Sequence, residues 1–232
     1  MALPAFLTRG VLTAIIILAV QACSPVYNPQ FVNVPLVRSR SEASLGVHAG
    51  ATGVHANGTL AFIRPVYAQF GLSACEFLKS STAAAEGGLG IFRRFHAFVP
   101  SLGAGFGVGG ADSWVYRDSL TGLGMRHVDS AHLQADYSKF YLQPNALLDW
   151  TCFQLGASYK LSYMHLNSKS LSRDVGYRLG SGPVQEIAFT AALGTKGFKL
   201  VGQLGASAPS RSIARDEGQI LLSLGLMTQF GR

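Results

Sequence analysis

Charge is what this 232-residue chain has least of: Asp, Glu, Lys and Arg make up 13% of it, about half the share usual in a soluble domain. Long apolar runs are equally scarce. Past the first two dozen residues none approaches the ~20 that a spanning helix needs, which excludes a helical membrane protein as the mature form. Cysteine is limited to Cys23, Cys75 and Cys152, too few and too far apart for a disulfide framework. What the chain does have is glycine, 27 residues of it, and a positive mean hydropathy. An apolar chain of this length without spanning helices, long enough to close a barrel, points first to a membrane β-barrel.

The first residues are a targeting signal. Residues 1–22 carry one positive charge, Arg9, then the apolar run from Val11 to Val20, a signal-peptide core too short to span as a mature helix. Val20-Gln21-Ala22-Cys23 looks like a bacterial lipobox, which predicts cleavage before Cys23 and lipid on that residue. Ser24 in the next position is compatible with sorting to the outer membrane. Removing Arg9 lowers the formal charge from +7 to +6. The remaining basic residues are scattered, with no basic helix and no aromatic stacking motif, so nucleic acid is excluded as a partner. Outer-membrane lipid and lipopolysaccharide are the expected counter-charges.

Residues 23–41 read as a linker from the lipid anchor, and from residue 42 the period becomes two. Ala43, Leu45, Val47 and Ala49 alternate with Ser44, Gly46, His48 and Gly50. The same logic repeats from Val54, Val66, Ala84, Phe98, Tyr137, Phe153, Gln185, Phe198 and Gln219, each run reading as a strand. The expected fold is all-β, an antiparallel transmembrane barrel of about ten strands over residues 42–232, with eight as the alternative count. Short connections at Arg64-Pro65, 149–151 and 195–197 should alternate with long ones at 79–83, 111–131, 167–183 and 208–218. An even strand number returns both ends to the periplasmic side.

The parity opposite the apolar one decides which face meets what. On a soluble barrel it would be dense in charge. Here it is Gly, Ser, Gln, Asn and Tyr with isolated charges at Glu86, Lys139, Lys160, Glu186 and Lys199. That composition suits a narrow interior, while the nearly charge-free parity suits lipid, where a midplane Arg or Lys costs about 2–4 kcal/mol. The segment Ser101 to Gly110 contains a formal G-x-G-x-x-G match at Gly105, Gly107 and Gly110, yet no helical pattern follows it, so a nucleotide cradle is set aside. Its glycines at Gly103, Gly105, Gly107 and Gly109 then face inward. They should leave room for Lys or Tyr from neighbouring strands and mark the widest gap in the lumen.

Three segments and the lipobox occur in a recognisable order: Tyr27 with Asn33-Val34-Pro35-Leu36, the run Ala85 to Gly90, and the run Ala135 to Pro144. Together they resemble small outer-membrane β-barrel lipoproteins of Bacteroidota type. The resemblance implies location and fold, and supplies no catalytic residues.

The remaining chemistry is sparse. His48 and His55 share the inward parity, diagonal across the first hairpin, with no further ligand beside them, so no metal and no cofactor is expected. His165, with Asn167 and Ser168 nearby, matches no triad with an assignable acid. Lumen-lining candidates are Glu86, Gly103, Gly105, Gly107, Lys139, Lys160, Glu186 and Lys199. These form either an ion-pair plug or a weakly anion-selective channel. The expected role is structural or interaction-based and not enzymatic: a lipid-anchored barrel in the cell outer membrane, its amino terminus periplasmic, presenting outer loops to an envelope partner that no motif names. A narrow pore and a lipid-modifying enzyme are the alternatives.

Overall fold

Alternation gives every strand two faces with different chemistry, and ten such strands satisfy both by closing on themselves. A computed structural model describes residues 41–50, 52–77, 80–121, 124–150, 152–170, 180–195, 197–210 and 219–231. The side chains of residues 77, 113–131, 133 and 168–170 are not among those described. The leader, the lipobox with Cys23 and the linker therefore lie outside the described residues.

The strands are β1 Glu42–Gly50, β2 Gly53–Ile63, β3 Val66–Phe77, β4 Ser80–Phe92, β5 Phe98–Thr121, β6 Gly124–Asp149, β7 Phe153–Ser170, β8 Gly182–Gly194, β9 Phe198–Pro209 and β10 Gln219–Phe230. Each pairs antiparallel with its sequence neighbours, and β1 pairs with β10 to close the barrel. Both ends of the described chain meet at one rim, where Ala43 pairs with Phe230. That rim also carries the connections after β2, β4, β6 and β8, and is here called the short-turn end.

The hydrogen-bonded rows measure the stagger. From Ala49 one direction passes Val54, Ala74, Ala83, Gly110 and Asp136 to reach Asn167. The other passes Leu224, Gly202 and Ala191 to reach Leu155. Asn167 and Leu155 stand twelve residues apart on β7. At ~3.3 Å per residue and ~4.8 Å between strands, that stagger tilts the strands by about 40° and sets a backbone radius of about 10 Å.

Two of the expected long loops are strand instead. β4 begins at Ser80, so residues 80–83 are strand. Residues 111–121 and 124–131 continue β5 and β6 outward as a two-stranded ribbon, paired from Trp114 with His132 to Thr121 with Gly124. Among the described residues the ribbon runs past its neighbours, whose last pairs with it are Ser80–Ser113 on β4 and Leu133–Ser170 on β7. The sequence past those pairs lacks the period of two that marks the other strands.

The outward parity is apolar between two aromatic levels. Phe62, Phe95, Phe98, Trp150, Phe153, Phe198 and Phe230 all lie exposed within a few residues of the short-turn end. Phe70, Phe106, Phe140 and Tyr163 stand exposed on a second row, with Phe106 and Phe140 ring centroids 5.1 Å apart. On β7 the levels are ten residues apart, Phe153 to Tyr163. Ten residues at ~3.3 Å and a tilt of about 40° span roughly 25 Å along the axis at β7, the height of the apolar band on membrane barrels. The second row follows the register and descends toward the short-turn end at β3, where Phe70 follows Val66 by four residues.

Candidate functional site

The inward parity fills the barrel in layers. At the short-turn end Phe92, Val99, Leu147, Val201 and Met227 form an apolar cluster with the ring of Tyr67. Above it runs an amide network. Gln69 Nε2 donates to Tyr141 Oη at 3.1 Å, Gln143 Nε2 to Asn145 Oδ1 at 2.7 Å, and Asn145 Nδ2 to Ser101 Oγ at 3.1 Å. The ion cluster lies next, and Tyr137, Met164, Leu166 and Val184 close the long-loop end.

The ion cluster centres on Glu86. Lys160 Nζ crosses the lumen from β7 to donate to both carboxylate oxygens, at 2.7 and 2.9 Å. Lys139 Nζ on β6 is 3.2 Å from Glu86 Oε2. Glu186 stands beside Lys160 in the β7–β8 register, and Lys160 Nζ also lies 4.7 Å from the centroid of the Tyr141 ring. Two carboxylates thus face two ammonium groups, and Lys139, Lys160 and Glu186 have no solvent exposure. Ions so fully buried survive only when paired and hydrogen-bonded, and removing one partner costs more than the pair contributes. Lys199 is also buried but sits apart, level with Met227 near the short-turn end.

The glycines of β5 hold no gap. In the β5–β6 register Gly105 stands opposite Tyr141, Gly107 opposite Lys139 and Gly109 opposite Tyr137. A Cβ on Gly105 would lie 2.4 Å from Tyr141 Oη, and one on Gly109 2.4 Å from Tyr137 Oη. At Gly103 the nearest atom would be Tyr67 Oη at 2.8 Å, and at Gly107 Lys139 Cε at 3.0 Å. Each glycine is therefore the floor on which a ring or a lysine stem lies flat. The expected widest gap is the most completely occupied wall of the interior.

One further expectation needs correcting. His48 and His55 are not diagonal but directly opposite in the β1–β2 register. Both are buried, His55 Nε2 lying 3.1 Å from Thr52 Oγ1 and His48 Nε2 3.4 Å from Asn57 Nδ2. Among the described residues no group of three or more His, Cys, Asp and Glu could hold a metal. His165 faces outward at the long-loop end with its Nδ1 2.6 Å from Ser181 Oγ, and among the described residues no carboxylate bonds it. Cys75 and Cys152 are not joined in a disulfide.

Sequence reasoning missed the apolar residues inside. A signal for them exists: wherever a strand nears its short-turn end, two apolar residues become adjacent, as in Phe98-Val99, Leu147-Leu148 and Leu200-Val201. One member of each pair faces lipid and the other closes the lumen. The outer wall also holds a depression of about 1030 Å³, floored where small residues such as Ala157, Ala191 and Gly202 come together. It opens outward and does not reach the filled interior.

No protein-family model matches the chain, and no curated protein matches it. Among solved structures, the translocator domain of the autotransporter NalP from Neisseria meningitidis overlays with a TM-score of 0.37 at 11% identity, over 97% of this chain and 96% of that one. The monoaromatic hydrocarbon channel CymD gives 0.32 at 7% identity, over 93% and 97%. OprB of Pseudomonas putida in its high-pH form gives 0.23 at 8% identity, over 77% and 59%. All three overlays are loose.

Proposed function

We propose that this chain is an outer-membrane β-barrel whose lumen is filled, with a structural or interaction role and no catalytic one. It is tethered by lipid at Cys23 on the periplasmic side. The observation that carries this reading is the burial of the lumen. Lys139, Lys160 and Glu186 are wholly shielded from solvent inside a ten-stranded wall, with apolar clusters capping them at both ends. A water-filled channel would leave such groups exposed. Membrane insertion is supported by the outward face, apolar over roughly 25 Å at β7 between two aromatic levels, and by backbone groups that pair without an edge. The β5–β6 ribbon projects past the rim and is the part of the barrel best placed to meet a partner.

The test is electrical. Purified barrel reconstituted in planar bilayers is expected to insert, shown by slower or faster migration before than after boiling, and to give no sustained unit conductance. Regular conductance steps from the wild-type chain would replace the filled-lumen reading with the narrow pore. Mass spectrometry of the amino-terminal peptide tests the anchor, which should carry diacylglyceryl and acyl groups on Cys23.

A further inference from the structure

Among the described residues the outward face of the barrel is uncharged along its apolar belt, and the charges that flank the belt differ in sign. Toward the long-loop end the exposed outward residues on β3, β5 and β6 are Glu76, Asp112 and Asp136. At the short-turn end they are Arg64 and Arg93. Arg93 follows Ile91 on the outward parity of β4, and its backbone N–H donates to Pro100 O at 3.1 Å. Its guanidinium lies 4.9 Å from the centroid of the Phe95 ring, a contact that holds the charge at the aromatic level. Arg64 occupies the β2–β3 turn next to Ile63. Arg94 is engaged elsewhere: its Nη2 is 3.5 Å from Asp149, and its Nε donates to His96 O at 2.9 Å.

Between these residues the wall is hollowed. A depression of about 860 Å³ is lined by Arg64, Arg93, His96 and the already engaged Arg94, together with Ile91 and Leu102. Ile91 and Leu102 are register partners and are half-exposed, so the apolar part continues directly into the belt. Cationic groups at the rim over an apolar slope complement an amphiphile with an anionic head. Guanidinium groups match phosphate oxygens in planar, bidentate geometry and hold their charge at any working pH.

We propose that this depression binds the phosphodiester headgroup of a glycerophospholipid in the leaflet at the short-turn end. Arg64 and Arg93 take the phosphate, and the acyl chains lie along Ile91 and Leu102. The assignment rests on the membrane reading given above. Both arginines are exposed and outside the filled interior, so replacing them leaves the barrel's core intact.

The full-length chain, purified in detergent, is incubated with 1-palmitoyl-2-oleoyl-phosphatidylglycerol, and retained lipid is counted by native mass spectrometry. Wild type is expected to keep bound lipid, and the Arg64→Gln/Arg93→Gln variant to keep it roughly thirtyfold more weakly, taking about fivefold per arginine. The Arg64→Lys/Arg93→Lys variant, which keeps the charge and loses the bidentate fork, should fall between the two. Equal retention by wild type and the glutamine variant, with heat-modifiable migration intact in both, overturns the site alone. Displacement of the lipid by excess inorganic phosphate reassigns the site to free phosphate and overturns the lipid claim. Preferential retention of purified lipid A overturns the glycerophospholipid assignment. Wild-type chain that never shows heat-modifiable migration overturns the membrane reading, and this site with it.

Discussion

Replacing Glu86 by Gln removes one charge and leaves the shape of the lumen nearly unchanged, which makes it the sharpest probe of the interior. Glu86 accepts from Lys160 at 2.7 and 2.9 Å and faces Lys139 at 3.2 Å, and neither lysine has any solvent exposure. After the substitution both ammonium groups share Glu186 alone as a nearby lumen carboxylate on the β7–β8 side. Breaking a buried pair from one side typically costs about 3–5 kcal/mol, because the surviving charge has lost its compensation while still out of water. The expected loss for Glu86→Gln is therefore about 3–5 kcal/mol. Urea titration in lipid vesicles reads it, with the folded fraction scored by migration on unboiled gels.

The same reasoning predicts a recovery. Replacing the whole cluster together, as Glu86→Leu and Glu186→Leu with Lys139→Met and Lys160→Met, removes every ion of the cluster whose desolvation was being offset. Apolar replacement of buried ionic groups is often neutral or stabilising by about 1–4 kcal/mol, so the quadruple variant should be at least as stable as wild type and equally non-conducting. A cost below about 1 kcal/mol for Glu86→Gln would refute the reasoning, because only water in the lumen could screen the two lysines that well. A quadruple variant less stable than the single one would also refute it, by showing that shape and not charge dominates the cluster.

Three further outcomes follow from the same geometry. Gly109→Ala places a Cβ 2.4 Å from Tyr137 Oη, with Tyr137 supplying all three of the nearest atoms, an overpacking expected to cost about 1–3 kcal/mol; combining it with Tyr137→Ala should cost less than the two single losses added together, and strict additivity in urea titrations would count against the ring lying on that glycine. Leu204→Arg, halfway up the outward face of β9, should cost about 2–4 kcal/mol in vesicles, against about 0–1 kcal/mol for Phe198→Arg at the rim; equal costs at the two depths would remove the bilayer from the account of this surface. Tyr141→Ala with Lys139→Ala deletes the two side chains lying over Gly105 and Gly107 and should produce the first measurable conductance in a bilayer, whereas a silent double variant would show that the apolar end layers close the lumen by themselves.

The outline of this fold was legible because a membrane barrel writes both of its environments into one period. Ten strands, their parity and the short turns follow from alternation, and Glu86, Lys139, Lys160 and Glu186 are exceptions on a polar parity that single-residue reading can find. The ribbon formed by β5 and β6 was not legible as strand, since its residues past the pair Ser113–Leu133 lack the period of two. Nor was the register of His48 with His55. It depends on whether the loop after Gly50 holds two residues or four, and a shift of two positions separates a direct pair from a diagonal one on the same face.

The glycines of β5 show where alternation falls short and why. Parity says which way a residue points, but not what its neighbours do with the space it leaves. Gly103, Gly105, Gly107 and Gly109 look like a hollow when β5 is read alone. The register with β6 sets Gln143, Tyr141, Lys139 and Tyr137 against them in turn, and β3 sends Tyr67 over Gly90 and Gly103 from the other side. A barrel of about 10 Å backbone radius leaves side chains from opposing walls little distance to cover before they meet. Glycine on one wall lets a ring lie flat against it, so a large residue fits without pushing the strands apart. The small residues are thus the condition for filling the lumen, and a run of inward glycines in a narrow barrel marks a plug whenever the facing strand carries Tyr and Lys at the paired positions.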